Sequence, residues 1–139
     1  MRRALVVDAS VAVSWVHPAQ ATVDTDALLD AVAEGALLEV PALWPLEVSN
    51  ALTVLVRRRK LSEGERQAAF RWLHGLAVRV DHEMATLAFS TLAGLASTHQ
   101  LSVYDAAYLE LAQRRGLPLA CKDGPLRDAA RRCGVQLWG

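Results

Sequence analysis

Ala4-Leu5-Val6-Val7-Asp8-Ala9-Ser10 begins as a short apolar run, two of its residues β-branched, and stops at an acid. No polar residue alternates with the apolar ones, so the run reads as a strand buried on both faces, the kind parallel sheets contain. Leu37-Leu38-Glu39-Val40, Ala77-Val78-Arg79-Val80 and Leu117-Pro118-Leu119-Ala120-Cys121 read the same way, with Val135-Gln136-Leu137 as a short last strand. Pro118 puts the start of its strand there, or on a side that needs no N–H. Between these runs the apolar period turns helical: over 24–33, over 44–58, from the Ser62-x-x-Glu65 capping box to about Ala77, over 84–97, and from Ser102 to Arg115 with Gly116 as its stop. A final helix starts with Pro125 as its first residue and runs to Cys133, where Gly134 stops it. Strands that alternate with helices imply right-handed crossovers and a parallel sheet. The expectation is one α/β domain over 1–139, with a central parallel sheet of four to five strands flanked by helices in three layers. The chain shows no repeat, low-complexity tract or linker.

The composition supports that reading. At 139 residues with 53% hydrophobic and 22% charged side chains, the chain can build a core and is not disordered. Lys+Arg and Asp+Glu are 15 each, and a pI of about 6.9 excludes holding nucleic acid by bulk positive charge. Any such contact must be local or run through metal ions. Two cysteines, Cys121 and Cys133, make neither a disulfide framework nor a Cys-rich zinc site, and read as buried small hydrophobes. Arg2-Arg3 followed by Ala4 to Val7 mimics a signal peptide, but Asp8 cuts the apolar run short. No stretch approaches the ~18 apolar residues of a membrane helix. A cytoplasmic protein without a membrane partner is expected.

In a parallel sheet, ligands bind beyond the carboxyl ends of the strands, so where an acid stands matters more than how many there are. Asp8 directly follows the first strand and Asp123 follows the fourth after Cys121-Lys122, which puts both at that edge. Asp105 stands in the first turn of the helix opening at Ser102, and Glu47 in the first turns of the helix opening near Trp44. Each has an ordinary structural explanation. Ser102-x-x-Asp105 fits a capping box, Asp8 and Asp123 can cap the helices after them, and Glu47 suits a positive helix end. Together they point elsewhere. Glu47 and Asp105 sit among apolar neighbours, and Lys122 is the only cation beside any of the four in sequence. Carboxylates withdrawn from water and within ~4 Å repel by roughly 4 kcal/mol at an effective dielectric of ~20. Such a group needs a compensating cation, and an all-oxygen ligand set suits Mg²⁺ or Mn²⁺ rather than zinc. Magnesium keeps waters that a phosphate oxygen displaces, which points to a phosphate substrate.

Val6-Val7-Asp8-Ala9-Ser10, Pro45-Leu46-Glu47-Val48-Ser49-Asn50-Ala51-Leu52, the block from Leu101 to Ala112 with Tyr104-Asp105-Ala106-Ala107-Tyr108, and Leu119-Ala120-Cys121-Lys122-Asp123 resemble the PIN-domain ribonucleases. Among these the chain is similar to the VapC-type toxins of bacterial toxin–antitoxin pairs. The resemblance runs from the first strand to the last helix. It implies a PIN-like fold and a metal-dependent endoribonuclease whose acids fall on Asp8, Glu47, Asp105 and Asp123, with the D-x-S hydroxyl on Ser10 and the E-x-x-N amide on Asn50. It also implies an RNA substrate, a cognate antitoxin and a homodimer. One residue departs from the pattern: the family usually has Thr or Ser two residues before the last acid, and this chain has Cys121, a weaker hydrogen-bond donor.

Asp8 and Asp105 are the expected direct ligands of a Mg²⁺ or Mn²⁺ ion, with Glu47 and Asp123 completing a second ion site or orienting water. Asn50, one turn after Glu47, holds ligand or substrate, and Ser10 is a supporting donor or a helix cap rather than a nucleophile. Arg57-Arg58-Arg59-Lys60 is the one concentrated basic run, either a helix end that favours cations or an RNA-backbone contact. Arg114-Arg115 and Arg131-Arg132 read as helix ends. His17, His74, His82 and His99 show no metal spacing or partner pattern and read as surface or helix-end residues. Trp15 and Trp44, with Leu43 and Val16, are core residues or one apolar groove for a partner segment. Two other readings compete: a PIN-like RNA-binding module without catalysis, and a doubly wound phosphotransfer or phosphatase domain. The second would want a further acid near position 10 or beside Asp81, and neither is there.

Overall fold

β1 (Ala4–Val7) runs through the middle of the protein with Leu5, Val6 and Val7 wholly buried. That two-sided burial is what its unbroken apolar sequence requires, and each such side chain contributes roughly 1.5–3 kcal/mol. The computed structural model describes residues 3–138; Met1, Gly139 and Arg2 of the Arg2-Arg3 pair lie outside the described residues. β2 (Leu37–Pro41), β3 (Val78–Asp81) and β4 (Leu119–Ala120) complete a four-stranded parallel sheet in the order β3-β2-β1-β4. The chain steps outward from β1 through β2 to β3, then crosses back to lay β4 on the other side of β1. The crevice beyond the carboxyl ends of β1 and β4 is therefore the topological switch point of the sheet. Two backbone bonds of 2.9 Å, Val6 N–H to the Pro118 carbonyl and Asp8 N–H to the Ala120 carbonyl, hold the exits of these strands side by side.

β4 is shorter than the expected 117–121 because Pro118 supplies a carbonyl and no N–H. The expected last strand reduces to a parallel bridge between Leu119 and Leu137, and the Arg3 guanidinium lies 4.6 Å from the centre of the Trp138 ring beside it. At the open edge, Arg79 points outward from β3, a charge that discourages pairing with another chain.

The helices flank this sheet. α1 (Ala9–Val16) starts directly after β1 with Asp8 as its cap, α2 is Val23–Ala33, and α3 is Trp44–Arg57. α4 (Glu63–His74) opens with the anticipated capping box, Ser62 and Glu65 exchanging bonds of 2.9 and 3.0 Å. It stops at Gly75, short of Ala77, which leads into β3. The helix expected over 84–97 is present without interruption but not uniform: α5 (Met84–Leu87) and α6 (Ala93–His99) are joined by a π turn over Ala88–Leu92. The wider turn rotates the chain so that Leu92 enters the core while Phe89 stands 100% exposed. α7 (Val103–Arg115) is buried continuously from Ala106 to Ala112, lies on β1 and β2, and carries α6 and α8 (Gly124–Arg132) against it. In α8, Pro125 is the second residue rather than the first, because Asp123 caps and Gly124 begins the helix.

Three acids inside this frame have dedicated cations. Arg114 pairs with Asp81 at 2.8 Å and Glu110 at 2.9 Å, while Arg115 reaches Asp81 at 3.3 Å and Glu39 at 3.5 Å. The two arginines thus clamp buried acids from β2, β3 and α7 as well as ending a helix, and the Arg114 guanidinium holds Asp81 well below the usual carboxylate range. The tryptophans do not form one groove. Trp15 donates to the Thr25 carbonyl at 3.1 Å and meets Trp72 edge-on at 6.1 Å. Trp44, only 5% exposed, instead lines an apolar cleft of about 530 Å³ with Phe70, Leu73, Val78 and Val80. No helix among the described residues is long and apolar enough to cross a membrane.

Candidate active site

The helices α1, α3, α7 and α8 each bring an acid in at the N-terminus. Asp8 has the extended backbone of a cap (φ −71°, ψ 149°), and its Oδ1 accepts from the Ser10 N–H at 2.9 Å. Asp123 Oδ2 accepts from the Leu126 N–H at 3.0 Å. Ser102 caps α7 by accepting from the Asp105 N–H at 3.0 Å, and Glu47 lies in the first turn of α3. Asp8 and Asp123 are thus the caps that the sequence allowed, whereas at Ser102 the cap forms without the reciprocal bond of a capping box; helix dipoles favour anions at all these positions. These roles do not exhaust the carboxylates, since each cap uses one oxygen and leaves a second for another partner.

The electrostatics show that these acids share a neighbourhood. Asp8 is 8% exposed, and its carboxyl is pushed up to about 6, first by burial and then by the negative charges of Asp105 and Glu47. The Ser10 backbone bond works in the opposite direction. Burial raises Glu47 as well, opposed by a hydrogen bond from Tyr108 and reinforced by Asp105. Asp105 is raised by burial and then by Asp123. Asp105 therefore acts on, or is acted on by, each of the other three, and stands at the centre of the group. Cys121 is buried beside them, and desolvation followed by the charge of Asp8 pushes its thiol up to about 12.

Among the described residues none of the four acids has an ion pair, in contrast to the clamped Glu39, Asp81 and Glu110. Lys122, adjacent to Asp123 in sequence, turns away to Ser14 Oγ at 3.1 Å and the Gln20 carbonyl at 2.9 Å. Among the described residues no three or more Asp, Glu, His or Cys side chains stand together as a group that could hold a metal ion. The acids are a repelling set of oxygens without a cation, and with the Cys121 thiol protonated at neutral pH the donors on offer are hard ones. That chemistry fits Mg²⁺ or Mn²⁺ and not a thiophilic ion.

A cleft of about 390 Å³ takes Asp8, Ser10 and Val13 from one wall and Glu47, Ala51 and Arg58 from the other. Steps of three and four residues put 47, 51, 54 and 58 on one face of α3, so the cleft runs from the acids to the end of that helix. Of the basic run, Arg58 is the residue on this face; Arg57, Arg59 and Lys60 are exposed around it. Asn50 is exposed on α3 and is not among the residues lining this cleft. Ser10 lies within α1, its N–H capped by Asp8, so it is not itself the cap. Tyr108 has a role the sequence reading assigned to no residue: its buried hydroxyl donates to Glu47 Oε1 at 2.6 Å. Its spacing of three from Asp105, which puts the two on one face of α7, was the available signal.

Comparison with known protein families gives a match to the PIN domain over residues 5–132. The chain is a PIN domain. Its fold is similar to PAE2754 from Pyrobaculum aerophilum, at 19% identity and a TM-score of 0.62 over 92% of this chain and 84% of that one. It is also similar to FitAcB from Neisseria gonorrhoeae, at 17% identity and a TM-score of 0.65 over 97% of this chain and 96% of the other. No curated protein matches it. At such identities the likeness is one of fold, so the account of this PIN domain's chemistry rests on its own residues.

Proposed function

We propose that this PIN domain is a metal-dependent endoribonuclease of the VapC type, a cytoplasmic toxin that works as a homodimer and is restrained by a cognate antitoxin. The observation that carries the proposal is the set of mutually repelling, cation-free carboxylates at the switch point of the sheet, with Arg58 farther along the same cleft. Asp8 and Asp105 would hold the ion, and Glu47 and Asp123 complete a second ion position or orient water. When bound, a hard divalent ion polarises a phosphodiester oxygen and lowers the pKa of a bound water. Tyr108 fixes the Glu47 carboxylate through one oxygen. Ser10 steadies Asp8 from its backbone N–H. Arg58 meets the RNA backbone, with Arg57, Arg59 and Lys60 adding longer-range attraction; Asn50 binds substrate beside Glu47. The exposed Leu46 and Tyr104, neighbours of Glu47 and Asp105, give an antitoxin apolar surface to cover.

A phosphotransfer reading with Asp81 as the acceptor loses support because arginines engage Asp81 on both oxygens. The deciding experiment incubates the purified protein with total RNA, with and without Mg²⁺ or Mn²⁺, beside Asp8→Asn. Cleavage that needs both the metal and Asp8 is expected; RNA binding without cleavage in any metal would assign the domain to the non-catalytic class.

A further inference from the structure

At the other end of α8 from Asp123, Cys133 and His99 meet. His99 closes α6, Cys133 follows α8, and the Sγ to Nε2 distance is 3.3 Å. The two residues were expected to be an isolated helix-end imidazole and a buried thiol; instead both are half-buried and in contact. Arg132 settles the protonation of the ring. Its Nε and Nη2 each lie 3.3 Å from His99 Nδ1, and a guanidinium has only donors, so Nδ1 is the acceptor. The ring proton then sits on Nε2, facing the sulfur, and Cys133 is left to accept. A soft metal would need the reverse arrangement, a free Nε2 lone pair and an acceptor at Nδ1.

Cys133 also opens into a cleft of about 420 Å³ with Gln113, Leu117, Pro118 and Gln136, at the amino end of β4 and away from the acids. Of the nearby cations, Arg131 is paired with Asp128 at 2.9 Å, and Arg132 is exposed beside the sulfur. We propose that Cys133 is a site of thiol–disulfide exchange with small anionic disulfides, with His99 and Arg132 as its positioning residues. The Cys133 sulfur attacks one sulfur of the incoming disulfide, a Cys133–S–S–R bond forms as the R–S–S–R bond breaks, and the second half leaves as a thiolate. The incoming disulfide is the oxidant, and a reducing thiol reverses the step. Cys121, the other cysteine, is buried and has no such donor pair.

The test treats the folded chain with oxidised glutathione at neutral pH and follows both cysteine peptides by mass spectrometry. Adduct should accumulate on Cys133 and not on Cys121. His99→Gln should slow its formation about tenfold, the effect of losing one charge-assisted hydrogen bond. Arg132→Gln, a change at an exposed side chain that leaves folding intact, should slow oxidised glutathione more than the neutral 2-hydroxyethyl disulfide. Equal labelling of the two cysteines, no adduct at Cys133, or a Cys133 rate indifferent to both substitutions would overturn the assignment.

Discussion

Asp8 combines two duties whose energetics oppose each other. As a cap it stabilises α1; as a buried anion beside Glu47 and Asp105 it costs stability whenever it is ionised. Its native carboxyl holds a proton up to about 6, against the ordinary 3.8, so the folded state binds more protons between those values and stability falls as pH rises through them. Asp8→Asn keeps an oxygen for the Ser10 N–H and removes the charge. In chelator-treated protein it should therefore raise stability by on the order of 2–3 kcal/mol at pH 7.5 and by little at pH 4, read from melting curves. Tyr108→Phe tests the neighbouring contact. Without the hydroxyl, the carboxyl of Glu47 rises further, so the acid limb of the metal-dependent activity should move to higher pH, at a cost of about 1 kcal/mol in stability. Asp8, Asp105 and Asp123 were legible because each stands at the end of a strand run or the start of a helix pattern. The Tyr108–Glu47 bond was not: its spacing from Asp105 puts Tyr108 on the same face of α7, but the partner is 61 residues away in sequence and on another helix.

At the level of elements, the end of α3 carries local strain. Arg59 adopts φ +57°, a left-handed conformation that suits glycine. It does so to complete a helix stop in which Arg59 N–H reaches the Val56 carbonyl at 3.0 Å and Lys60 N–H the Leu55 carbonyl at 2.9 Å. Arg59→Gly should stabilise the protein by about 0.5–1 kcal/mol in urea denaturation, since glycine meets no steric penalty there. Retaining arginine at a strained position beside Arg58 accords with a use for its charge. Helix starts were read well, because Ser62 with Glu65 and Ser102 with Asp105 are local signals. The π turn at Ala88–Leu92 was not, since the demand that Leu92 reach the core comes from α7.

Across the whole molecule two sets of acids stand apart from those on the open surface. One is closed by Arg114 and Arg115; the other, at the switch point, has no cation of its own among the described residues. Removing Arg114 leaves Glu110 buried without its charge partner and Asp81 with only the longer contact to Arg115, so Arg114→Ala should destabilise the protein by roughly 3 kcal/mol. The depressed Asp81 carboxyl stabilises the fold above the ordinary carboxylate pKa and loses that contribution as pH falls through its native value. The variant should therefore show a smaller part of its stability disappearing in acid, measured by urea midpoints from pH 6 to pH 2. Read along the chain, Arg114-Arg115 showed only a helix end, because Asp81 lies 33 residues upstream on another element.

The position of β4 has a consequence for synthesis. Asp8 is translated more than a hundred residues before its partner: the carbonyl that receives its N–H belongs to Ala120, and Asp123 comes later still. A ribosome that has not yet passed residue 123 displays an unfinished blade, and any protein that recognises the earlier elements has that interval in which to sheathe it.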